Sequence, residues 1–173
     1  FSEAAGNTKY QYLSTTAKAE TFNMWQNTSP NSTVFSVSSN NEASGSANDE
    51  MIAYCFRSIP GVCKVGSYVG NNSADGTYVH TGFKPAWIIT KITTATGAWG
   101  IMDSAREPSN PVIKRLFPNS DADEDEDGEQ MDFLSDGFKL RKTGGFNSNN
   151  AVYVYMAMAE IGGNGTLPPI YGR

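Results

Sequence analysis

Residues 76–106, GTYVHTGFKPAWIITKITTATGAWGIMDSAR, hold the clearest strand signals in the sequence. This stretch contains three short runs rich in β-branched and aromatic residues, at 77–83, 87–93 and 99–103, and turn-forming or polar residues close each run. Apolar residues do not recur at helical spacing anywhere in the stretch. The stretch therefore predicts a β-meander, in which three consecutive strands pair antiparallel.

The second of these runs alternates between two faces. Alternate residues from Trp87 to Lys91 point to one side of the strand, and those from Ile88 to Ile92 point to the other side. Further runs of the same character predict additional strands at 9–14, 21–26, 33–38, 51–59, 64–69, 112–117, 131–134, 137–142 and 151–161. Asn, Ser, Gly and Pro separate these runs, as in an all-β protein with many turns.

The fold class that follows is an antiparallel β-sandwich. Meanders of this length must stack two sheets to cover their apolar faces. We expect the jelly-roll or concanavalin-like kind, built from two related halves. The nearly continuous apolar run at 151–159 belongs in the middle of a sheet, and we expect 51–59 to take the equivalent place.

The charge is distributed unevenly along the chain. The formal net charge is −5, but seven of the 18 acidic residues lie between Asp121 and Glu129. The remaining 11 acidic residues are nearly balanced by the 13 Lys and Arg, so the rest of the chain is close to neutral. No basic patch predicts a nucleic-acid partner. The longest apolar run, at 151–159, is too short to cross a bilayer as a helix, and no membrane partner is predicted.

The two cysteines, Cys55 and Cys63, flank the sequence FRSIPGV. A disulfide closing this hairpin is one interpretation. The other is a buried free thiol at Cys55, because that residue lies in a predicted apolar strand. The compartment therefore stays undecided by the cysteines.

An internal duplication is predicted from two similar segments. FSVS at 35–38 aligns with FKLR at 138–141, and MIAYCF at 51–56 aligns with YVYMAM at 153–158, which places Cys55 at the position of Ala157. The domain prediction is a truncated first repeat at 1–62, a complete second repeat at 63–162 and a Gly- and Pro-rich tail at 163–173. On this prediction the sequence begins inside the first repeat.

Four stretches carry a resemblance to a known family: GSYVGNNSADGTYVHTGFKPAWIITK at 66–91, WGIMDSAR at 99–106, DFLSDGFKLR at 132–141 and YVYMAMAE at 153–160. They resemble an uncharacterised repeat domain found near the C-termini of tailed-phage virion proteins. TKYQYLSTTAKAE at 8–20 matches more weakly. The shared motifs look structural, so the resemblance implies a virion setting rather than a chemistry.

The function expected from this resemblance is that of a non-enzymatic virion module. Such a tail-fibre, head-appendage or decoration domain would bind a host surface glycan or receptor, or another virion protein, as a homo-oligomer within the extracellular particle. The alternative is a glycan-degrading hydrolase of a phage appendage, which would need two carboxyl groups at a suitable separation. No nucleophile motif, phosphate-binding loop or zinc motif occurs in the sequence.

The polar residues that could suggest chemistry are each explained by a structural role in a strand or turn. The single histidine, His80, lies in a predicted strand. Asp103 and Arg106 predict a corner, in which the carboxylate accepts backbone N–H bonds and the guanidinium pairs with a carboxylate or packs over Trp99. Asp136 and Gly137 predict a hairpin turn.

Aromatic residues offer a second kind of site, because aromatic rings stack on sugars. In an all-β chain most such residues instead fill the core, so the sequence does not single out the ligand-binding residues. The candidates for an exposed carbohydrate platform are Tyr10, Tyr12, Trp25, Tyr68, Tyr78 and Tyr153.

The acidic run 121–129, DADEDEDGE, predicts a tentative calcium loop or a solvated acidic loop. Asp123, Asp125 and Asp127 alternate as in the opening of a calcium loop, and Glu129 could add a contact. Leu134 stands where a calcium loop of the helix-flanked kind has its closing Glu. Without a cation, so many adjacent carboxylates repel one another, so the loop would be mobile and exposed to solvent. Apart from this calcium ion, no cofactor is predicted.

Overall fold

The computed structural model describes residues 1–46, 49–126 and 130–159. This part of the chain is built from strands and one single-turn helix, α1, at Asn41–Ser44. The strands are β1 (Lys9–Tyr10), β2 (Glu20–Thr21), β3 (Cys63–Val69), β4 (Tyr78–His80), β5 (Pro85–Ile92), β6 (Gly100–Asp103), β7 (Met131–Leu134), β8 (Gly137–Leu140) and β9 (Val152–Ala159).

The strands form three antiparallel sheets. The largest has the order β3-β9-β5-β6, the second has the order β4-β8-β7, and β1 pairs with β2 alone. The two larger sheets share one buried apolar cluster, as in a β-sandwich. The prediction of an all-β antiparallel sandwich is confirmed, and the jelly-roll or concanavalin-like kind stays a prediction.

The predicted meander at 77–103 is wrong in one respect. β5 and β6 are neighbours, but β4 leaves this sheet and pairs with β8 in the other one. The turn at 81–83 makes the crossing, where Gly82 has a φ of +85° and Thr81 Oγ1 donates to the Phe83 carbonyl at 2.6 Å. Adjacent strands in sequence can therefore lie in different layers.

The core is formed by side chains that alternate along β9. Tyr153 and Tyr155 point inward, and Tyr153 stacks on Tyr68 of β3 with ring centroids 5.0 Å apart and planes 9° apart. Phe138 of the second sheet meets Tyr155 edge to face at 5.2 Å. Gly66 lies opposite Tyr155, and its missing side chain leaves room for that ring. The contact of Phe138 with Tyr155 joins the two layers.

The alternation predicted along β5 is confirmed. Ile88, Thr90 and Ile92 are buried in the face toward the core, whereas Trp87 and Ile89 are half-buried on the opposite face. The central position predicted for 151–159 is also confirmed, because β9 lies between β3 and β5.

The predicted strand at 51–59, by contrast, is wrong. Residues 51–58 form no strand and are exposed, and Ile59 makes only an isolated bridge to Cys63. Cys55 is consequently exposed rather than buried, and both cysteines are free thiols. The expected structural equivalence of 51–59 with β9 therefore fails. The repeat division at 62/63 itself stays a prediction, and the tail at 163–173 lies outside the described residues.

Other predicted strands are shorter than expected or not formed. Residues 33–38 form no strand, and 9–14 and 21–26 are reduced to the two-residue strands β1 and β2. Residues 112–117 make isolated bridges to three different segments instead of one ladder. Within the described residues, no helix is long and apolar enough to cross a membrane.

Candidate functional site

An exposed aromatic cluster, defined as Tyr10, Tyr12 and Phe22, lies on the N-terminal segment. The Tyr10 ring meets Tyr12 at a centroid distance of 5.0 Å and an interplanar angle of 84°, and it meets Phe22 at 6.2 Å and 73°. Edge-to-face pairs of this kind contribute about 0.5–1.5 kcal/mol beyond their buried area. Tyr12 and Phe22 nevertheless keep 37% and 40% of their surface exposed. The cluster therefore presents ordered aromatic surface to solvent.

The pairing of β1 with β2 brings the three rings together. Tyr10 lies opposite Glu20, and Phe22 follows β2 directly, where its N–H donates to the Thr8 carbonyl at 3.0 Å. The Tyr10 hydroxyl donates to Oε2 of Glu20 at 3.1 Å. Aromatic faces and one carboxylate thus share the same small surface.

Two side-chain hydrogen bonds fix this segment against the sandwich. Nε1 of Trp99 donates to the Tyr12 carbonyl at 2.8 Å, and Nε2 of Gln11 donates to the Ile92 carbonyl at 2.9 Å. Both bonds connect residues about 80 or more positions apart in the chain. The aromatic cluster is held by the large sheet although its own sheet has only two short strands.

Lys91 provides a third and more deeply buried connection. Its side chain is fully buried on the outer face of β5, and Nζ donates to the carbonyls of Thr16 at 3.0 Å and Gly97 at 2.6 Å. Burial lowers the pKa of Lys91 because it disfavours the charged ammonium. Two carbonyl partners offset part of that cost. Lys91 therefore clamps the N-terminal segment onto the sheet.

The other aromatic candidates lie elsewhere. Tyr68 and Tyr153 are core residues, so the prediction that they belong to an exposed platform is wrong. Trp25 is half-buried, donates from Nε1 to the Lys9 carbonyl at 2.9 Å, and contacts Phe1 edge to face. Tyr78 is exposed but lies on β4 in the second sheet. Of the predicted set, the structure brings Tyr10 and Tyr12 together at the surface, and Tyr68 and Tyr153 together in the core.

The acidic loop makes ion pairs that the sequence did not predict. Asp123 is exposed, but Oδ2 of Asp125 accepts a hydrogen bond from Nη2 of Arg115 at 2.5 Å. The described residues contain no group of three or more His, Cys, Asp or Glu side chains placed to hold a metal ion. Asp127 and Glu129 lie outside the described residues. The calcium loop therefore stays a prediction, in which calcium would compete with Arg115 for Asp125.

Neighbouring carboxylates also have cationic partners. Glu124 accepts a bond from Nη1 of Arg106 and lies 3.6 Å from Nζ of Lys114, and Glu126 lies 3.3 Å from the same Nζ. These contacts place three cations beside the run of acids. The expectation of a wholly solvated loop is wrong for Glu124 and Asp125, which are partly buried.

The predicted corner at Asp103 is confirmed. Oδ1 of Asp103 accepts the N–H groups of Ala105 and Arg106 at 3.1 and 2.8 Å, and Oδ2 pairs with Nε of Arg106 at 2.7 Å. Burial alone would raise the pKa of Asp103, but the bonds from Arg106 outweigh it and hold that pKa below its usual value. Arg106 pairs with carboxylates, which is one of the two roles predicted for it.

The two remaining polar candidates, Asp136 and His80, lie in a hairpin turn and in a strand. The turn at Asp136 and Gly137 joins β7 to β8, as predicted, with Leu134 opposite Gly137. His80 lies in β4, and its Nδ1 is 3.7 Å from Oδ2 of Asp136, with both side chains largely exposed. This geometry fits a surface contact between a strand and a turn.

A groove of about 550 Å³ lies at one end of the sandwich, between the loops 94–98 and 145–151. Core tyrosines bond to the second of these loops: the Tyr153 hydroxyl donates to the Gly145 carbonyl at 2.6 Å, and the Tyr68 hydroxyl donates to the Phe146 carbonyl at 2.9 Å. The lining is rich in small polar and Ala residues. It offers backbone groups but little aromatic surface, so the aromatic cluster is the stronger candidate.

Sequence reasoning missed Phe22, Glu20 and Lys91 as parts of the site. Phe22 and Glu20 acquire their role only from the β1–β2 pairing. Lys91 carried a usable signal, because a lysine in the middle of an apolar strand run needs a polar partner when it is buried. That partner is supplied by carbonyls whose positions depend on the tertiary structure.

A comparison with known protein families gives one match, to the domain of unknown function DUF7483, over residues 2–161. No curated protein and no solved structure matches the chain. The match covers both the N-terminal segment and the sandwich, and so includes the aromatic cluster together with the strands that hold it. The chain therefore belongs to the family defined by the domain of unknown function DUF7483.

Proposed function

We propose that this chain is a non-enzymatic structural module of a phage virion, in a tail fibre, head appendage or decoration protein, and that it binds host surface glycans through the aromatic cluster. The resemblance of 66–160 to phage virion repeat domains supports the virion setting. The observation that carries the binding role is the pair of exposed rings, Tyr12 and Phe22, which Tyr10 holds in place.

The chemistry of the aromatic cluster suits a sugar ligand. Aromatic faces contact the apolar face of a pyranose, and a carboxylate such as Glu20 accepts hydrogen bonds from ring hydroxyls. The β1–β2 pairing and the bonds from Trp99 and Gln11 preorganise the site, so little ordering cost remains on binding. Repetition of the module in a virion would raise weak single-site affinity through avidity.

The electrostatics of Asp103, which pairs with Arg106, favour the non-enzymatic role over the hydrolase. A glycosidase needs one carboxyl group whose pKa is raised so that it can donate a proton near neutral pH. Arg106 has the opposite effect on Asp103, and it also pairs with Glu124. The Asp103 carboxylate is therefore held in the ionised form.

The test is the binding of host cells and of their purified surface polysaccharide to the parent and to the variants Tyr12→Ala and Phe22→Ala. We expect each variant to lose about tenfold or more in affinity, since truncating an aromatic anchor costs more than about 1 kcal/mol. Tyr78→Ala is the matched control, because Tyr78 has similar exposure (42%) on the other sheet. It should bind like the parent.

Two results would contradict the proposal. Unchanged binding by Tyr12→Ala and Phe22→Ala, with both variants folded, would show that the aromatic cluster is not the glycan site. Appearance of new reducing ends during incubation with polysaccharide would show hydrolysis and overturn the non-enzymatic assignment. Binding to a virion protein without any binding to cells would favour a decoration role over host attachment.

A further inference from the structure

Residues 49–57, DEMIAYCFR, expose more large apolar surface than any comparable run in the described structure. The exposed fractions are 59% for Met51, 79% for Ile52, 80% for Tyr54 and 57% for Phe56. Such residues favour strands and are normally buried. A contiguous apolar stretch exposed in this way marks an interaction surface.

Residues 51–58 do not pair with the neighbouring edge strand, β3. A bridge joins Ile59 to Cys63, and the hydroxyl of Ser58 lies 3.2 Å from the Val65 carbonyl and 3.1 Å from the Val65 N–H. The Ser58 side chain thus occupies the backbone groups of edge strand β3 that the next residues of a hairpin would use. Among the described residues, no backbone–backbone hydrogen bond is made by 51–58.

We propose that residues 49–57 pair antiparallel with the same residues of a second copy of the chain, about a two-fold axis at Ala53. In this register Asp49 lies opposite Arg57 of the second copy, and the symmetric pair repeats at the other end. Met51 lies opposite Cys55, and Ile52 lies opposite Tyr54. The smallest side chain of the run, Ala53, faces itself on the axis.

The charges select this arrangement over the alternatives. A parallel in-register pairing would put Arg57 against Arg57 and Asp49 against Asp49, which is destabilising. An antiparallel pairing centred on Tyr54 would put Arg57 opposite Met51 and leave the charge without an acidic partner across the strand. The acid at one end and the base at the other are complementary only in the antiparallel pairing centred on Ala53.

The exposed area suits a second copy of this chain. A large aromatic side chain carries about 150–250 Å², so the four large apolar residues expose on the order of 500 Å² in one copy. Two copies together reach roughly the 1,000 Å² that a specific interface needs. This inference goes beyond the proposed glycan binding and depends on different residues.

The first test measures the molar mass of the 173-residue chain by sedimentation equilibrium over a range of concentrations. We expect a dimer for the parent, and an at least tenfold weaker dimer for Arg57→Asp and for Asp49→Arg, because each places like charges opposite each other twice. The double variant Asp49→Arg with Arg57→Asp restores the complementarity and should recover dimerisation. Asp49 also accepts the Ser46 N–H, so the comparison of double with single variants is the decisive one.

The second test maps the register by oxidation of a new cysteine. In a background with Cys55→Ser and Cys63→Ser, Ala53→Cys should form a disulfide-linked dimer when diamide is added, since the two residues face each other on the axis. Thr143→Cys, an exposed position on the second half of the chain, is the control and should stay monomeric.

A parent chain that is monomeric at every concentration reached would overturn the proposal. So would a dimer that Arg57→Asp leaves unchanged, or one in which Ala53→Cys does not crosslink. Loss of glycan binding by Tyr12→Ala with intact dimerisation would leave this interface standing, and loss of dimerisation in Arg57→Asp should leave single-site glycan affinity unchanged. The two proposals therefore fail separately.

Discussion

Residues 63–159 and residues 1–62 are organised by different forces. In the described part of the first region, seven strands form the two larger sheets, and the whole buried apolar cluster comes from residues between Tyr68 and Ala159. In the second region, two two-residue strands and a single helical turn are the regular structure described, and its buried apolar residues are Ala19 and Met24. The first region is stabilised by its own core, and the second is fixed by hydrogen bonds to the first.

The difference between the two regions explains why both candidate surfaces lie within residues 1–62. A region that does not bury its own apolar residues leaves them available to partners. The aromatic cluster and the run 49–57 both belong to residues 1–62. The sandwich serves as the rigid support, and the N-terminal region presents the binding surface.

The largest effect is expected from breaking the core of the sandwich. Tyr153→Ala removes a fully buried ring that stacks on Tyr68, and we expect the free energy of unfolding to fall by about 3–5 kcal/mol. Urea denaturation followed by tryptophan fluorescence measures it. Tyr153→Phe is the control: it keeps the ring and loses only the hydroxyl bonds to Gly145 and Ser148, so it should cost about 1–2 kcal/mol. Equal losses for the two variants would contradict a packing role.

A smaller effect, confined to one region, is expected from Lys91→Met. Removing the ammonium leaves the carbonyls of Thr16 and Gly97 without this donor, at a cost of about 1–3 kcal/mol. Amide hydrogen exchange should speed up at residues 8–21 while β5 and β9 stay protected. Lys18→Met, at an exposed position in the same segment, is the control. Uniform loss of protection across the sandwich would show that the two regions unfold together, and would contradict the view that residues 63–159 are stabilised by their own core.

The smallest effect is expected at the acidic loop. Asp125→Asn weakens a partly buried pair with Arg115, and we expect a loss of about 1 kcal/mol, seen as a melting temperature lowered by a few degrees. The loss should be equal in millimolar calcium and in chelator, because the partner removed is Arg115. A calcium-dependent rise in the melting temperature of the parent that is absent in Asp125→Asn would instead support the calcium loop.

Much of the sandwich could be predicted from local patterns. β7 has the predicted bounds, and the runs at 64–69, 87–93, 99–103, 137–142 and 151–161 each correspond to a strand whose ends lie within two residues of the predicted ones. The corner at Asp103 was also predictable, since an aspartate bonding to N–H groups two and three residues later needs only local sequence. The site was much less predictable. Of its residues, only Tyr10 and Tyr12 were candidates, and the contact of Tyr10 with Phe22 depends on the pairing of β1 with β2.

The all-β class, the two faces of β5 and the central place of β9 follow from local sequence, because side-chain alternation and apolar run length act within a single strand. Contacts between distant segments set which layer β4 joins, leave 51–58 outside the sheets, and pair Arg106, Lys114 and Arg115 with Glu124, Asp125 and Glu126 of the acidic loop. Local propensity favours a strand at 51–58 as strongly as at β9. Pairing partners and charge partners come from residues far apart in the chain, and only folding brings them into contact.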